Sequence, residues 1–403
     1  MRVLRFAFSA ALAVGAALAQ NPAAQYAQQS PKQVAPSPDA NTVLVYVGTY
    51  TRDEGWVNGT GKGVHVLSFN TKSGELTQLD ATPVGVNPTF VTGNNNSKRP
   101  MFYAVAGDAV NTNSDYVYAL SADASGKLTI VNRAETRGTG TAHVSLSPNN
   151  DFVTVSSYNS GSVALFPVNI NGSLQEASDF HEYKGGSNVK PNQDVSHMHS
   201  MTWAGVGSTG VFGADLGNDR IAQFNLDKEA KKLVVNKKNE FIQRPPGAGP
   251  RHMTIHPTHK YAYVVDELGS TVGVYDLDMS SGSLAKTATQ LISTLPAGFN
   301  ASNSAADIHT SEFGQFLYVS NRGHNSIATY RIGAKGKLTL LGHESSRGKT
   351  PRNFAVYKNF LIVANQDSNN MEVFKLDTKT GLPTYTNQTL AIGTPVCVFI
   401  PRY

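Results

Sequence analysis

Four side chains in the middle of the chain carry groups suited to acid–base and anion-binding chemistry: His199, Arg251, Glu267 and Arg322. Each stands where other copies of a repeated motif have small or apolar residues. Arginine binds carboxylate or phosphate through two parallel hydrogen bonds. Histidine and glutamate can transfer protons near neutral pH. If the fold brings the four together, they predict a site for an anionic acyl substrate.

Each of these residues also has a structural interpretation. The chain has 11 histidines, and a given histidine is more often a hydrogen-bonded structural residue than a catalyst. An arginine before a turn commonly joins two sheets through a salt bridge, and Glu267 and Arg322 can form such a bridge. Asp215 and Asp219 fit the side chains of a turn better than those of a catalytic site.

No sequence motif predicts a metal or a cofactor. The two imidazoles in residues 197–199 (HMH) lie at i and i+2, and a metal would need a third ligand from elsewhere. The chain has no HExxH, GxSxG or phosphate-binding loop motif. We therefore expect a reaction that depends on side chains alone.

The elements that must position these residues repeat seven times along the chain. Each copy is a short apolar run followed by a small polar cluster, and the aligned positions are Tyr46, Tyr103, Thr154, Phe212, Tyr263, Tyr318 and Ile362. The intervals between them are 57, 51, 58, 51, 55 and 44 residues. This period is too long for leucine-rich or ankyrin repeats and fits the four-stranded blades of a β-propeller. The sequence therefore predicts an all-β, seven-bladed propeller with its chemistry at the mouth of the central channel.

The order of strands within each repeat also predicts how the ring closes. In most copies a first strand is followed by the apolar phrase, which forms the second strand. An alternating strand and a glycine-containing turn come next. The first copy lacks the strand that should precede it, whereas residues 394–400 form a surplus strand at the other end. We expect this C-terminal strand to pair with the N-terminal blade and so protect the sheet edges.

The N-terminal region predicts export. Residues 1–19 have two arginines, an apolar stretch and a small-residue cleavage site, which indicates a signal peptide. Residues 20–42 are rich in Gln, Pro, Ala and Ser and are expected to be a disordered lead-in to a propeller domain over residues 43–403. The signal stretch is too short for a membrane span. Five Asn-x-Ser/Thr sequons, at Asn58, Asn95, Asn171, Asn300 and Asn387, are consistent with a secreted glycoprotein.

Charge and cysteine content narrow the function classes further. The net charge is +5, and the basic residues are spread along the chain, which argues against a nucleic-acid partner. Cys397 is the only cysteine, so an internal disulfide is excluded, and its alternating strand predicts that the thiol is buried. We expect a monomer that contacts neither nucleic acid nor membrane.

Several motifs resemble those of the seven-bladed propeller lactonase family, which includes propeller-type 6-phosphogluconolactonases and carboxy-cis,cis-muconate cyclases. They run in order over about residues 43–400, among them YVGTYT (46–51), HMHSM (197–201), GAGPRH (247–252), DELGSTV (266–272) and VSNRGHNSI (319–327). The resemblance implies that a His, two Arg and a Glu form the site, at His199, Arg251, Arg322 and Glu267. One departure is residues 104–108 (AVAGD), where the family usually has AVNE.

Three functions follow from the fold, the site and the resemblance. The first is a secreted lactonase that opens a sugar or related lactone. In it Arg251 and Arg322 hold the anion and the oxyanion, His199 activates water, and Glu267 acts as acid or orients the base. The second is a cycloisomerase that closes a muconate-type diacid to a lactone. The third is a secreted propeller that binds a partner without catalysis.

Overall fold

The computed structural model describes residues 41–108, 113–237 and 239–402, and within them the chain forms the predicted seven-bladed β-propeller. The predicted signal peptide and almost all of the predicted lead-in lie outside these residues. The described part contains thirty strands and one 3-10 turn (Ala334–Gly336), and in it no helix is long and apolar enough to cross a membrane.

Each blade is a four-stranded antiparallel sheet or a five-stranded variant of it, ordered from the inside outward. Blades 1 to 3 contain, in turn, β30 (Pro395–Phe399), β1 (Thr42–Thr49), β2 (Val64–Asn70) and β3 (Leu76–Thr82); β4 (Val86–Gly93), β5 (Met101–Gly107), β6 (Tyr116–Ala122) and β7 (Leu128–Glu135); and β8 (Thr141–Leu146), β9 (Phe152–Ser157), β10 (Ser162–Pro167) and β11 (Asp179–Glu182).

Blades 4 and 5 are the five-stranded ones. Blade 4 has β12 (Met198–Trp203), β13 (Gly210–Asp215), β14 (Arg220–Asp227), β15 (Lys232–Val235) and β16 (Phe241–Gln243), and blade 5 has β17 (Pro250–Ile255), β18 (Tyr261–Asp266), β19 (Thr271–Asp278), β20 (Ser283–Leu284) and β21 (Gln290–Ser293). Blades 6 and 7 have β22 (Ser304–Thr310), β23 (Phe316–Arg322), β24 (Ser326–Ile332) and β25 (Leu338–Ser345); and β26 (Pro351–Tyr357), β27 (Phe360–Asn365), β28 (Asn370–Leu376) and β29 (Pro383–Ala391).

The ring closes as the sequence predicted. β30 pairs antiparallel with β1, with Tyr46 opposite Phe399 and Gly48 opposite Cys397. The innermost strands of successive blades contact one another around the whole ring, including β26 with β30 and β30 with β4. The last strand of the chain therefore completes the first blade.

The hydrophobic core lies between the blades and explains the repeated phrase. The described residues form seven apolar clusters, one at each interface between neighbouring blades. The second strand of a blade is covered on both faces, so β9 and β27 are buried along their whole length. Strands covered on both faces read as continuous apolar runs rather than as alternating ones.

Two of the repeated sequence signals, the aligned tyrosine and the glycine turn, are hydrogen-bonded to each other in the structure. The phenolic hydroxyl of Tyr103 donates a hydrogen bond to Gly172 O of the next blade at 3.0 Å, and Tyr318 donates to Gly381 O at 2.9 Å. Gly172 and Gly381 occupy the predicted turns with φ of +88° and +77°, which glycine adopts without strain. The aligned tyrosine and the glycine turn therefore join consecutive blades.

Candidate active site

His199, Arg251, Glu267 and Arg322 all line one cavity of about 790 Å³. The cavity lies at the N-terminal ends of the innermost strands, where β12 carries His199 and β17 carries Arg251. Glu267 directly follows β18, and Arg322 is the last residue of β23, so the two occupy the equivalent positions that the repeat predicted. The structure thus brings together all four predicted site residues.

A β-bulge positions the residues that the innermost strands contribute. The pairing with the second strand skips one residue at the start of several innermost strands, and each skipped residue lines the cavity: Ala142, His199, Arg251, Arg352 and Val396. A bulge redirects a side chain that would otherwise alternate with its neighbours. Pro250, Pro351 and Pro395 each precede the skipped residue, where a missing N–H is tolerated. One structural device therefore presents different side chains to the same cavity.

Glu267 is the negative centre of the site. One of its carboxylate oxygens, Oε2, lies 2.9 Å from Arg251 Nε and 3.0 Å from an Arg322 terminal nitrogen. Burial alone would raise the pKa of Glu267, but Arg322, Arg251 and Arg352 together hold it below the ordinary value. Glu267 is therefore an ionised carboxylate and not a proton donor. Of the two roles that the sequence suggested for it, acid or orienter of the base, only the second fits this charge state.

His199 is a neutral imidazole. Its Nε2 lies 3.9 Å from Glu267 Oε2, and its buried Nδ1 has no hydrogen-bond partner among the described residues. Burial, followed by the positive charge of Arg251, lowers the pKa of His199 well below its ordinary value. The ring can therefore accept a proton at neutral pH.

Arg251 is held from behind by a second layer of polar groups. Its guanidinium donates to Ala306 O at 2.8 Å and to His252 Nε2 at 3.2 Å. The other ring nitrogen of His252 lies 2.8 Å from Asp307 Oδ1, so it carries the proton and the ring is a neutral acceptor toward Arg251. Burial and the nearby Arg322 lower the pKa of Arg251 to about 9.

Asp307 also connects this second layer to the ring closure. Its Oδ2 accepts a hydrogen bond from Asn353 Nδ2 at 2.6 Å, and Asn353 Oδ1 accepts one from Val398 N at 2.7 Å. The polar chain therefore runs from the closing strand β30 through Asn353, Asp307 and His252 to Arg251.

Arg352 is a cavity residue that sequence reasoning did not select. It occupies in β26 the same bulge position that Arg251 occupies in β17, and the signal was the repeated Pro-Arg at 250–251 and 351–352. Its guanidinium carbon lies 5.9 Å from the ring centre of Tyr50 and 5.7 Å from that of Trp56. The cavity thus places three guanidiniums around Glu267, while a fourth arginine of its lining, Arg52, pairs with Glu54.

The wall contributed by blades 1 to 3 has a different character. It presents amide, hydroxyl and carboxylate groups, namely Asn87, Thr89, Asp108, Asp115, Thr139, Thr141 and Asn159. Asp108 belongs to the segment where the sequence departs from the family pattern, and its Oδ2 lies 2.7 Å from Arg133. This wall therefore offers many hydrogen-bonding groups and no unpaired cation among its described residues.

The other residues that the sequence singled out have structural contacts. His197 stacks on Tyr158 with ring centres 4.0 Å apart and lies 2.8 Å from the Tyr158 carbonyl oxygen, while Asp219 accepts backbone N–H groups of Gly247 and Gly249, each at 2.7 Å. Cys397 is buried as predicted, and burial raises its pKa to about 12. No three His, Cys, Asp or Glu side chains within the described ranges converge as a metal ion requires.

Comparisons with known proteins agree with the fold. The family model described as lactonase, 7-bladed beta-propeller, matches residues 44–400. A 6-phosphogluconolactonase of Formosa agariphila is 35% identical over 361 residues, which cover 87% of this chain and 97% of that protein. A 6-phosphogluconolactonase of Bacillus subtilis is 32% identical over 358 residues, with coverage of 88% and 97%.

A solved structure has the same architecture. The periplasmic gluconolactonase of Pseudomonas aeruginosa superimposes with a TM-score of 0.81 and 27% identity, and the match covers 89% of this chain and 99% of that one.

Proposed function

The chain belongs to the seven-bladed β-propeller lactonase family, and we propose that it hydrolyses a sugar lactone in the cavity at the mouth of the central channel. The observation that carries this proposal is the cluster of three guanidiniums and one carboxylate around a neutral imidazole. Its relatives are named as lactonases, so neither the cyclase nor the non-catalytic alternative is favoured.

The arginines supply the electrostatic part of the reaction. Attack of water on the lactone carbonyl gives a tetrahedral intermediate with a negative oxygen. Arg251 and Arg322 are fixed by Glu267 and by backbone carbonyls, so their remaining N–H groups are oriented before the charge develops. Donors held in place in this way stabilise a developing oxyanion more than mobile donors do.

His199 and Glu267 supply the proton transfer. His199 accepts the proton of the attacking water, because burial keeps its imidazole neutral. Glu267 Oε2, 3.9 Å from His199 Nε2, stabilises the imidazolium that forms. The proton then passes to the ring oxygen when the C–O bond breaks, which leaves the hydroxy acid and neutral His199.

The polar wall supports a hydroxylated substrate. The cavity volume of about 790 Å³ is ample for a six-membered sugar lactone. Thr89, Thr139 and Asn159 offer hydroxyl and amide groups to sugar hydroxyls on the wall formed by blades 1 to 3. The relatives named 6-phosphogluconolactonase and gluconolactonase both indicate a gluconate-type lactone.

We further propose that the enzyme acts outside the cytoplasm. The signal-like residues 1–19 and the periplasmic relative support export. Fractionation of the native cells followed by N-terminal sequencing tests it: exported protein that starts near residue 20 supports the proposal, whereas protein confined to the cytoplasm and starting at Met1 would refute it.

The lactonase proposal is tested with purified protein and two substrates, glucono-lactone and its 6-phosphate. Acid release is followed with a pH indicator after subtraction of spontaneous hydrolysis. Turnover by the wild type and its loss in His199→Ala support the proposal. Wild-type rates equal to the background for both lactones would overturn it.

A further inference from the structure

We propose that Arg352 makes the enzyme selective for lactones that carry a second anionic group, such as a phosphate, away from the lactone carbonyl. The inference rests on the proposed lactonase function and assigns a separate role within the same cavity. It follows from the position, contacts and charge of Arg352.

The position of Arg352 is built into the fold. Arg352 is the bulge residue of β26, so its side chain is directed at the cavity by the same device that presents Arg251 and His199. Asn353, next along the strand, is tied to Asp307 and to the closing strand β30 through hydrogen bonds of 2.6 and 2.7 Å. The backbone at Arg352 is therefore anchored on one side by a buried polar network.

The contacts of Arg352 differ from those of the other two arginines. Arg251 and Arg322 both contact Glu267 and donate to backbone carbonyls of blade 6. The side chain of Arg352 forms no hydrogen bond or ion pair with any residue in the described part of the chain, and its guanidinium lies over the rings of Tyr50 and Trp56. Its planar fork of five N–H donors thus suits a bidentate partner such as phosphate or carboxylate.

The net positive charge of the cluster favours the binding of a second anion. Glu267 is shared between Arg251 and Arg322, whereas Arg352 acts on the cluster through space and contributes to the lowered pKa of Glu267. The positive charges of the three guanidiniums exceed the single negative charge of Glu267, so after the oxyanion of the intermediate forms the cluster still has positive charge to compensate a remote anion. The side chain of Trp56 is 62% exposed, so the aromatic surface of Tyr50 and Trp56 beside Arg352 lies at the open rim of the cavity.

The loop that carries Trp56 is itself fixed. Asn87 Oδ1 accepts the backbone N–H groups of Thr51 and Arg52 at 2.8 and 3.2 Å, and the Tyr50 and Trp56 rings contact edge to face at 5.2 Å. The aromatic surface beside Arg352 reduces its contact with water, which strengthens an ion pair formed there.

The test compares Arg352→Met with the wild type on the two lactones. We expect the ratio of kcat/KM for the 6-phosphate over that for the uncharged lactone to fall by roughly tenfold to a hundredfold, mainly through KM, the range for a lost hydrogen bond to a charged group. Arg352→Lys, which keeps the charge and loses the fork, should lie between the two. An unchanged ratio, with both lactones slowed equally or not at all, would overturn the inference.

Arg347→Met is the matched control. Arg347 also lies beside a tyrosine, with its guanidinium carbon 5.3 Å from the Tyr385 ring centre, but it pairs with Glu344 and does not line the cavity. We expect its selectivity ratio to stay within about twofold of the wild type, since a charge far from the site is screened.

A binding measurement separates this inference from the lactonase proposal. Calorimetry with 6-phosphogluconate and with gluconate needs no turnover. A tenfold or greater preference of the wild type for the phosphorylated acid, lost in Arg352→Met, supports the inference even if neither lactone is hydrolysed. Equal binding of the two acids by the wild type would overturn it.

Discussion

Two buried acid–arginine clusters begin at consecutive residues of this protein and differ in nearly every physical respect. Asp266, the last residue of β18, pairs with Arg244 through two hydrogen bonds, and Arg244 also donates to the hydroxyl of Tyr275. Neither Arg244 nor Asp266 lines the cavity. Glu267, the next residue, faces the cavity and is shared by Arg251 and Arg322.

The charge balance separates the two clusters. Burial opposes the charge on Arg244, but Asp266 and Tyr275 hold its pKa above the ordinary value. Burial and Arg322 lower the pKa of Arg251, because one carboxylate cannot compensate several guanidiniums. The Asp266 cluster is complete without a ligand, whereas the Glu267 cluster favours the arrival of an anion. Electrostatic imbalance, added to burial, therefore distinguishes the site from a structural ion pair.

The largest expected effect comes from breaking the balanced cluster. Arg244→Met leaves Asp266 buried without its cation, which should lower the free energy of unfolding by about 3–5 kcal/mol. Urea denaturation followed by tryptophan fluorescence measures it. A loss below about 1 kcal/mol would contradict a structural role for this pair.

Arg251→Met should have the opposite profile. Glu267 keeps Arg322 at 3.0 Å, so the loss of unfolding free energy should be less than half that of Arg244→Met. Lactone kcat should instead fall roughly a hundredfold to a thousandfold, the range for a lost oxyanion donor. Retention of wild-type kcat with a large loss of stability would show that the two clusters have the same role.

The pH profile sharpens the comparison. His199 must be neutral to act, so activity should be lost only as the pH falls through its pKa, which lies well below 6.5. Arg251 must be charged, so activity should fall as the pH rises through about 9 and be roughly tenfold lower one unit above it. Initial rates from pH 4 to 10, corrected for spontaneous hydrolysis, test both limbs. An acid limb near 7 would assign the base to another group.

The smallest expected effect on activity comes from substitution of Asp307, which supports Arg251 through His252. The charge of Asp307 raises the pKa of Arg251, so Asp307→Asn should move the alkaline limb to lower pH and reduce the rate there. The position of a limb does not depend on the amount of folded enzyme. A limb that stays at 9 would limit Asp307 to joining β22 and β26.

Much of the fold was predictable from the sequence because each repeat carries local signals. The apolar phrases mark strands covered on both faces, and the surplus strand at residues 394–400 indicated the pairing of β30 with β1. The four predicted site residues were visible because they replace small or apolar residues of the repeat. Arg352 was missed, although it follows a proline as Arg251 does, because a bulge cannot be read from the alternation of the strand.

The sequence by itself therefore determined the number of blades, their strand order, the closure of the ring and four of the titratable residues at one end of it. These features depend on local periodicity and on turn residues, and both can be recognised by comparing one repeat with another. Only the tertiary structure decided that Glu267 is an ionised carboxylate shared by two arginines, that His252 and Asp307 support Arg251, and that Arg352 faces the same cavity. The physical reason is that pKa values and ion pairs depend on distances between blades, and those distances are set by the bulges and by the packing of the whole ring.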